Sequence, residues 1–146
     1  MRMRRKKKTM TYHLFLDDER FPGQVTWVSN PFAVYEIVRS YDEFTKHIST
    51  WGVPKFVTFD HDLSDEHYEQ MLIDCEKQLL FSVKQPIEDH DYGPEKTGYD
   101  CAKWLVQYCI DNETKFPEYN VHSMNPVGAE RIKQYIEWAK TKFDFL

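Results

Sequence analysis

Two short apolar runs in this chain end abruptly in acids. His13–Leu16 leads into Asp17-Asp18-Glu19-Arg20, and Phe56–Phe59 leads into Asp60-His61-Asp62. Paired carboxylates with open positions between them suit a hard divalent cation, and oxygen ligands of this kind select magnesium or manganese. Without a cation such a cluster is costly, because like charges ~4 Å apart repel by about 4 kcal/mol at intermediate dielectric. One pair alone reads as loop residues and helix caps turned to water. Two pairs at the ends of two apolar runs favour a shared site, so Asp17, Asp18, Asp60 and Asp62 are the expected metal ligands.

Around them stand groups able to handle a phosphate. Arg20 is placed either to clamp phosphoryl oxygens through two parallel N–H bonds or to neutralise the acids beside it. His61 and His122 follow the third and fourth apolar runs and are candidates for proton transfer near neutral pH. His122 is the stronger, because His-Ser-Met-Asn leads into a helix start. There the free N–H groups from Asn125 to Gly128 suit an anionic oxygen, with ordinary capping and tight packing as the competing explanation. Asp60, Arg20 and His122 are the expected catalytic residues; Arg20, Asn125 and Gly128 are expected to bind substrate. His67, Glu69 and the run Glu88-Asp89-His90-Asp91 read as a solvated acidic loop rather than a second metal site.

These residues need elements that bring them to one edge. His13–Leu16, Val34–Val38, Phe56–Phe59 and Tyr119–His122 read as strands, the first and third as runs buried on both faces. Ser40 with Glu43, and Thr97 with Asp100, have the spacing of capping boxes at two helix starts. Asn125-Pro126 starts the last helix with a cap and a proline at the first helical position. The expected buried stripes are Tyr41, Phe44, Ile48 and Trp51; then Ala102, Leu105, Val106 and Cys109; then Ile132, Tyr135, Ile136, Ala139 and Phe143. Gly52 and Pro54 end the first helix. No clear helix lies between the first two strands. Residues 64–96 read as an insertion, with helical spacing at Tyr68, Met71, Leu72, Cys75 and Leu79. Alternation of this kind predicts an α/β fold: a parallel sheet of four strands in the order 2-1-3-4 with helices on both faces. The C-terminal strand edges of such a sheet point one way, and ligands bind there.

The 146 residues suit one domain, expected over 12–146 behind a basic extension at 1–11. Arg2, Arg4, Arg5, Lys6, Lys7 and Lys8 are six of the 19 basic residues, whereas all 24 acids lie beyond them. The acidic body argues against broad duplex binding and agrees with metal chelation; the basic extension is a solvated tail or a nucleic-acid tether. Three cysteines, Cys75, Cys101 and Cys109, read as reduced thiols of a cytoplasmic protein. No apolar run approaches the ~20 residues that cross a bilayer.

Four motifs in order, Leu-Asp-Asp-Glu-Arg (16–20), Phe-Asp-His-Asp-Leu (59–63), Thr-Gly-Tyr-Asp (97–100) and His-Ser-Met-Asn-Pro-Val-Gly (122–128), resemble the cyclic-phosphate-processing receiver-like domains. The resemblance covers about residues 12–140. It implies a flavodoxin-like receiver core and a role in handling cyclic phosphates on RNA ends or nucleotides. By position, Asp17, Asp18, Asp60 and Asp62 look like the acidic pocket, with Arg20, His122 and Asn125 as polar partners. Phosphorelay signalling is disfavoured, because Phe143–Leu146 is too short for a fifth strand and the lysine expected after it. The expected function is a metal-dependent phosphoesterase acting on a cyclic phosphate. The alternative is a non-catalytic module that binds a nucleotide or a protein partner. Asp60-x-Asp62 also resembles the haloacid-dehalogenase nucleophile motif, with Ser64 in place of the usual threonine or valine and the motif off the first strand. A toprim-like nuclease likewise places acids after strands one and three, but leaves His122 to Gly128 unexplained.

Overall fold

The computed structural model describes residues 12–25, 34–63 and 96–146. Four strands form its sheet: β1 (His13–Leu16), β2 (Tyr35–Val38), β3 (Phe56–Phe59) and β4 (Glu118–Val121). All neighbours are parallel and the order is β2-β1-β3-β4, as the sequence predicts. Leu14 stands beside Val57 and Leu16 beside Phe59, so the two central strands present matched apolar pairs to one face. The run from Phe56 to Phe59 is buried throughout, as a central parallel strand requires.

Three helices, α1 (Tyr41–Trp51), α2 (Gly98–Asp111) and α3 (Pro126–Lys142), pack in that order over one face. Their buried residues, among them Phe44, Ile48, Cys101, Leu105, Ile132 and Ile136, form one core with Leu14, Leu16, Val57 and Phe59. Burying one such large side chain is worth roughly 1.5–3 kcal/mol, so this layer is the main stabilising element. The other face carries Phe15, packed with Val25 and flanked by Tyr35 and Ile37. Val25 follows a 3₁₀ turn, Pro22–Gln24, so helical segments flank both faces. That turn is the described helical element between β1 and β2.

The caps position the helices. Thr97 and Asp100 form the full capping box of α2, and Asn125 caps α3 ahead of Pro126. At α1 the Ser40 side chain accepts from the Glu43 N–H, one half of the expected box. Gly52 ends α1 at φ 91°, a left-handed conformation that costs glycine little.

Trp51 departs from expectation. It was placed on the buried stripe of α1 but is 57% exposed. The helix ends at Trp51 and turns away through Gly52, so this last position lies over the β2 edge, lining a groove with Ile37 and Val38. Tyr41, Tyr135 and Phe143 are partly buried at the margin of the core. Cys101 and Cys109 are buried free thiols. The basic residues 2–8, Cys75, and the stretch read as an insertion up to residue 95 lie outside the described residues.

Candidate functional site

A parallel sheet delivers the ends of all its strands to one edge, and here each strand contributes a charged or polar side chain to it. Asp17 follows β1, Arg39 follows β2, Asp60 follows β3 and His122 follows β4. Asp17, Asp60 and His122 are all buried, and their ligand-type atoms lie within 4.8 Å of one another.

Asp17 is the hub. Its Oδ1 accepts the backbone N–H groups of Glu19 (2.9 Å) and Arg20 (2.8 Å). Its Oδ2 accepts Arg20 Nε–H (2.9 Å) and His122 Nε2–H (3.0 Å). Burial alone would raise its pKa. The His122 bond, the two backbone bonds and the Arg20 charge outweigh burial and hold the carboxyl well below the usual range. Asp17 is therefore an anion at any pH near neutral.

The His122 tautomer follows. A carboxylate can only accept, so Nε2 carries the proton it donates to Asp17. Nδ1 then accepts from the Thr58 hydroxyl at 2.7 Å. The ring has no exposure and stacks on Phe15, centroids 4.5 Å apart and planes within 7°. Burial lowers its pKa below the ordinary value, against the pull of Asp17, so the ring is neutral at pH 7.

Asp60 behaves oppositely. Burial pushes its pKa up to about 8, the Asp17 charge adds to this, Arg20 opposes it, and Asp62 and Asp18 add again. Arg20 Nη2 reaches Asp60 Oδ1 at 3.6 Å while its Nε holds Asp17, so this guanidinium bridges the two acids. Two neighbouring carboxylates with pKa values driven apart are a common arrangement where one must carry charge and the other a proton.

The remaining expected residues separate. Asp18 is half-buried beside the cluster and acts on Asp60 through its charge. Asp62 turns away: its Oδ1 meets His61 Nδ1 at 2.8 Å and accepts from Asn125 Nδ2 at 3.2 Å. Asn125 Oδ1 accepts Gly128 N–H at 2.9 Å, so this amide caps α3 and holds Asp62 together. A Cβ on Gly128 would stand 2.3 Å from the His61 ring, which makes this glycine a close-packing position. His61 is fully buried there. Asn125, Gly128, His61 and Asp62 thus form the wall that fixes the loop after β3. Gly98 completes it: its N–H donates to the His61 carbonyl at 2.8 Å, and a Cβ there would lie 1.7 Å from the Asp60 carbonyl oxygen. His67, Glu69 and the run 88–91 lie outside the described residues.

Three contributors were not singled out from sequence. Thr58 and Phe15 sit inside strands and read as plain core, yet one bonds the His122 ring and the other stacks on it. Arg39 sends Nη1 to the carbonyls of Asp17 (3.0 Å) and Arg20 (2.6 Å), pinning the turn that shapes Asp17. For Thr58 and Phe15 the signal is two-residue periodicity, which puts Phe15, Asp17, Thr58 and Asp60 on one side of neighbouring strands.

The donor set fits a divalent cation. Two buried carboxylates and an imidazole converge, and burial together with the Asp17 charge raises the Asp60 pKa, so a cation there would favour its ionised form. Both Asp17 oxygens already hold two donors each, so a cation there would exchange for one of them. His122 would offer Nε2 by moving its proton to Nδ1, where Thr58 Oγ1 can accept it.

A search of curated proteins and a search of solved structures found no match to the chain. A scan against protein-family models matched the model described as the cyclic-phosphate processing receiver domain over residues 12–138. That match spans all four strands, the first two helices, most of the third and every residue of the buried cluster, so the chain belongs to the cyclic-phosphate processing receiver family.

Proposed function

We propose that the protein is a metal-dependent phosphoesterase that opens a cyclic phosphate, on an RNA end or a cyclic nucleotide, to a monoester. One observation carries the reading: a buried Asp17–Asp60–His122 cluster at the strand edge of a cyclic-phosphate receiver domain. Asp17, Asp60 and His122 would hold magnesium or manganese, with Asp18 beside them. A bound divalent cation supplies charge compensation on the phosphoryl oxygens and lowers the pKa of water.

The chain's own residues supply the rest. Arg20, already poised between Asp17 and Asp60, offers its guanidinium to a phosphoryl oxygen. Asp60 carries the proton. As water adds to phosphorus, its proton passes to the Asp60 carboxylate. As the bond from phosphorus to one ribose oxygen breaks, the same proton passes to that oxygen. The net change is addition of one water. Burial makes the Asp60 carboxylate a ready proton acceptor, and a cation beside it would favour release of that proton to the leaving oxygen. His122 was expected to move the proton. Its ring is unexposed and both nitrogens are bonded, so this work passes to Asp60; His122 orients Asp17 in the metal-free protein and would turn ligand when a cation is bound. Asn125 and Gly128 were expected to bind substrate and here serve that site by fixing the β3 loop.

A second reading, a non-catalytic module that binds a nucleotide or protein partner, is favoured by the saturation of Asp17: four donors fill its four acceptor positions. Among the described residues no helix is long and apolar enough to cross a membrane. A cytoplasmic setting and a nucleic-acid contact by the basic residues 2–8 belong to the same proposal. The test offers purified protein 2′,3′-cyclic nucleotides and cyclic-phosphate-ended RNA, with and without manganese. Asp60→Asn lowers turnover by ~10² or more. Ligand binding by folded protein with no product under any metal selects the binding module instead.

A further inference from the structure

Beside the buried cluster stands an aromatic ring with no part in the core. Phe21 directly follows Arg20 and is 57% exposed. Its backbone is nevertheless tied down. Its backbone N–H donates to Gln24 Oε1 at 2.7 Å, and its carbonyl accepts Gln24 N–H at 2.9 Å. The Arg39 guanidinium lies over the ring, 4.7 Å from its centroid. That guanidinium is itself anchored, since Nη1 donates to the Asp17 and Arg20 carbonyls. One arginine thus braces both the turn that carries the acids and the ring at their rim.

From this geometry we propose that Phe21, backed by Arg39, is the stacking platform for the planar base of a nucleotide whose phosphate lies at Arg20 and Asp60. The inference rests on the phosphate-site reading above and adds a base subsite to it. An exposed phenyl ring gains nothing from water, and a surface cation–π contact alone is a small return for ordering it. A ring on a tied backbone and already in contact with Arg39 loses less freedom than an unrestrained one when a flat ligand covers its open face. Aromatic stacking tolerates any base, so the platform selects nucleotides over phosphates lacking a base, not one base over another. Consecutive Cα atoms are about 3.8 Å apart, so the ring and the phosphate-facing arginine are one residue step from each other. That separation is within the span of a single nucleotide. The aromatic strip of Tyr99, Tyr135 and Trp138 on α2 and α3 is a weaker candidate: Lys103 and Arg131 both stack on Tyr99, and nothing marks what would cover the strip.

The experiment is calorimetric titration of the full chain with 2′,3′-cyclic AMP and, separately, with inorganic phosphate, both with magnesium present. Phe21→Ala weakens the nucleotide by ~10-fold or more and leaves the phosphate affinity at the wild-type value. Phe21→Trp keeps the nucleotide affinity, because it restores an aromatic face. Equal nucleotide affinity in Phe21→Ala and the wild type overturns the platform and leaves the phosphate site intact. No nucleotide binding by folded wild-type protein overturns the platform, and loss of phosphate binding as well overturns the phosphate site. Binding that depends on Phe21 but never yields a monoester supports the platform and removes the enzymatic reading.

Discussion

At the residue scale, the pair Asp17 and Asp60 shows how two like groups one strand apart come to hold different charges. Four donors crowd Asp17, whereas Asp60 has burial and three neighbouring acids against one arginine and the His61 N–H. The pH dependence follows in sign. Asp60 titrates near 8 folded and about 3.9 unfolded, so between those values the folded state holds the extra proton. Its contribution to stability therefore falls as pH rises through that window, by up to about 1.4 kcal/mol per pH unit, and levels off above 8. Asp17 acts the other way: its depressed pKa stabilises the fold above the unfolded value and is lost as pH falls below about 4. Chemical denaturation from pH 5 to 8 checks this. Asp60→Asn flattens the slope; an unchanged slope would mean that another group titrates. Thr58→Val removes the hydroxyl that donates to His122 Nδ1 and costs about 1–3 kcal/mol, read as a lower denaturation midpoint. Asp17 and Asp60 were legible in the sequence because an apolar run that stops at an acid is a strong pattern. The His122 environment was not, since Thr58 and Phe15 come from other strands and carry no mark of their partner. Arg39 was hidden for a related reason: it recognises backbone carbonyls 19 and 22 residues away, which no side-chain motif records.

At the scale of elements, two glycines let helices close on the loop after β3. Gly98 brings the start of α2 against the Asp60 carbonyl, and Gly128 brings the first turn of α3 against the His61 ring. Gly98→Ala demands movement of backbone, Gly128→Ala movement of a packed ring, and overpacking of this kind costs about 1–3 kcal/mol. Both variants are expected to lower the urea midpoint, Gly98→Ala by more. Because Gly98 abuts Asp60 itself, that variant also weakens divalent-cation binding, whereas equal cation affinity to wild type would separate the helix contact from the site. The strand order and the helix caps were readable because each rests on local chemistry: apolar runs of four, a threonine three residues before an aspartate, an asparagine before a proline. Trp51 was misread because periodicity continues to the last helical residue whether or not the sheet still lies beneath it.

At the scale of the molecule, the sheet gathers strand ends into one buried, acid-rich centre at its C-terminal edge, while the three-helix layer covers the Leu14–Leu16 face. Such a centre is stabilised by whatever neutralises it, and a ligand that binds only the folded state raises the melting temperature in proportion to RT ln(1 + [L]/Kd). Magnesium or manganese is expected to raise it in the wild type and not in Asp60→Asn, and an equal rise in both would place the cation elsewhere. The acidic balance of the chain pointed toward such a centre without locating it; location came only from the parallel order of strands.

The most direct measurement is the number of protons released when manganese binds at pH 7, obtained by calorimetry in buffers of different ionisation enthalpy. With a pKa of about 8, Asp60 is mostly protonated before the cation arrives. A cation held by its carboxylate displaces that proton, so nearly one proton is released per cation in the wild type and close to none in Asp60→Asn. Manganese binding without proton release, or with the same release in both proteins, would contradict a metal site at Asp17, Asp60 and His122.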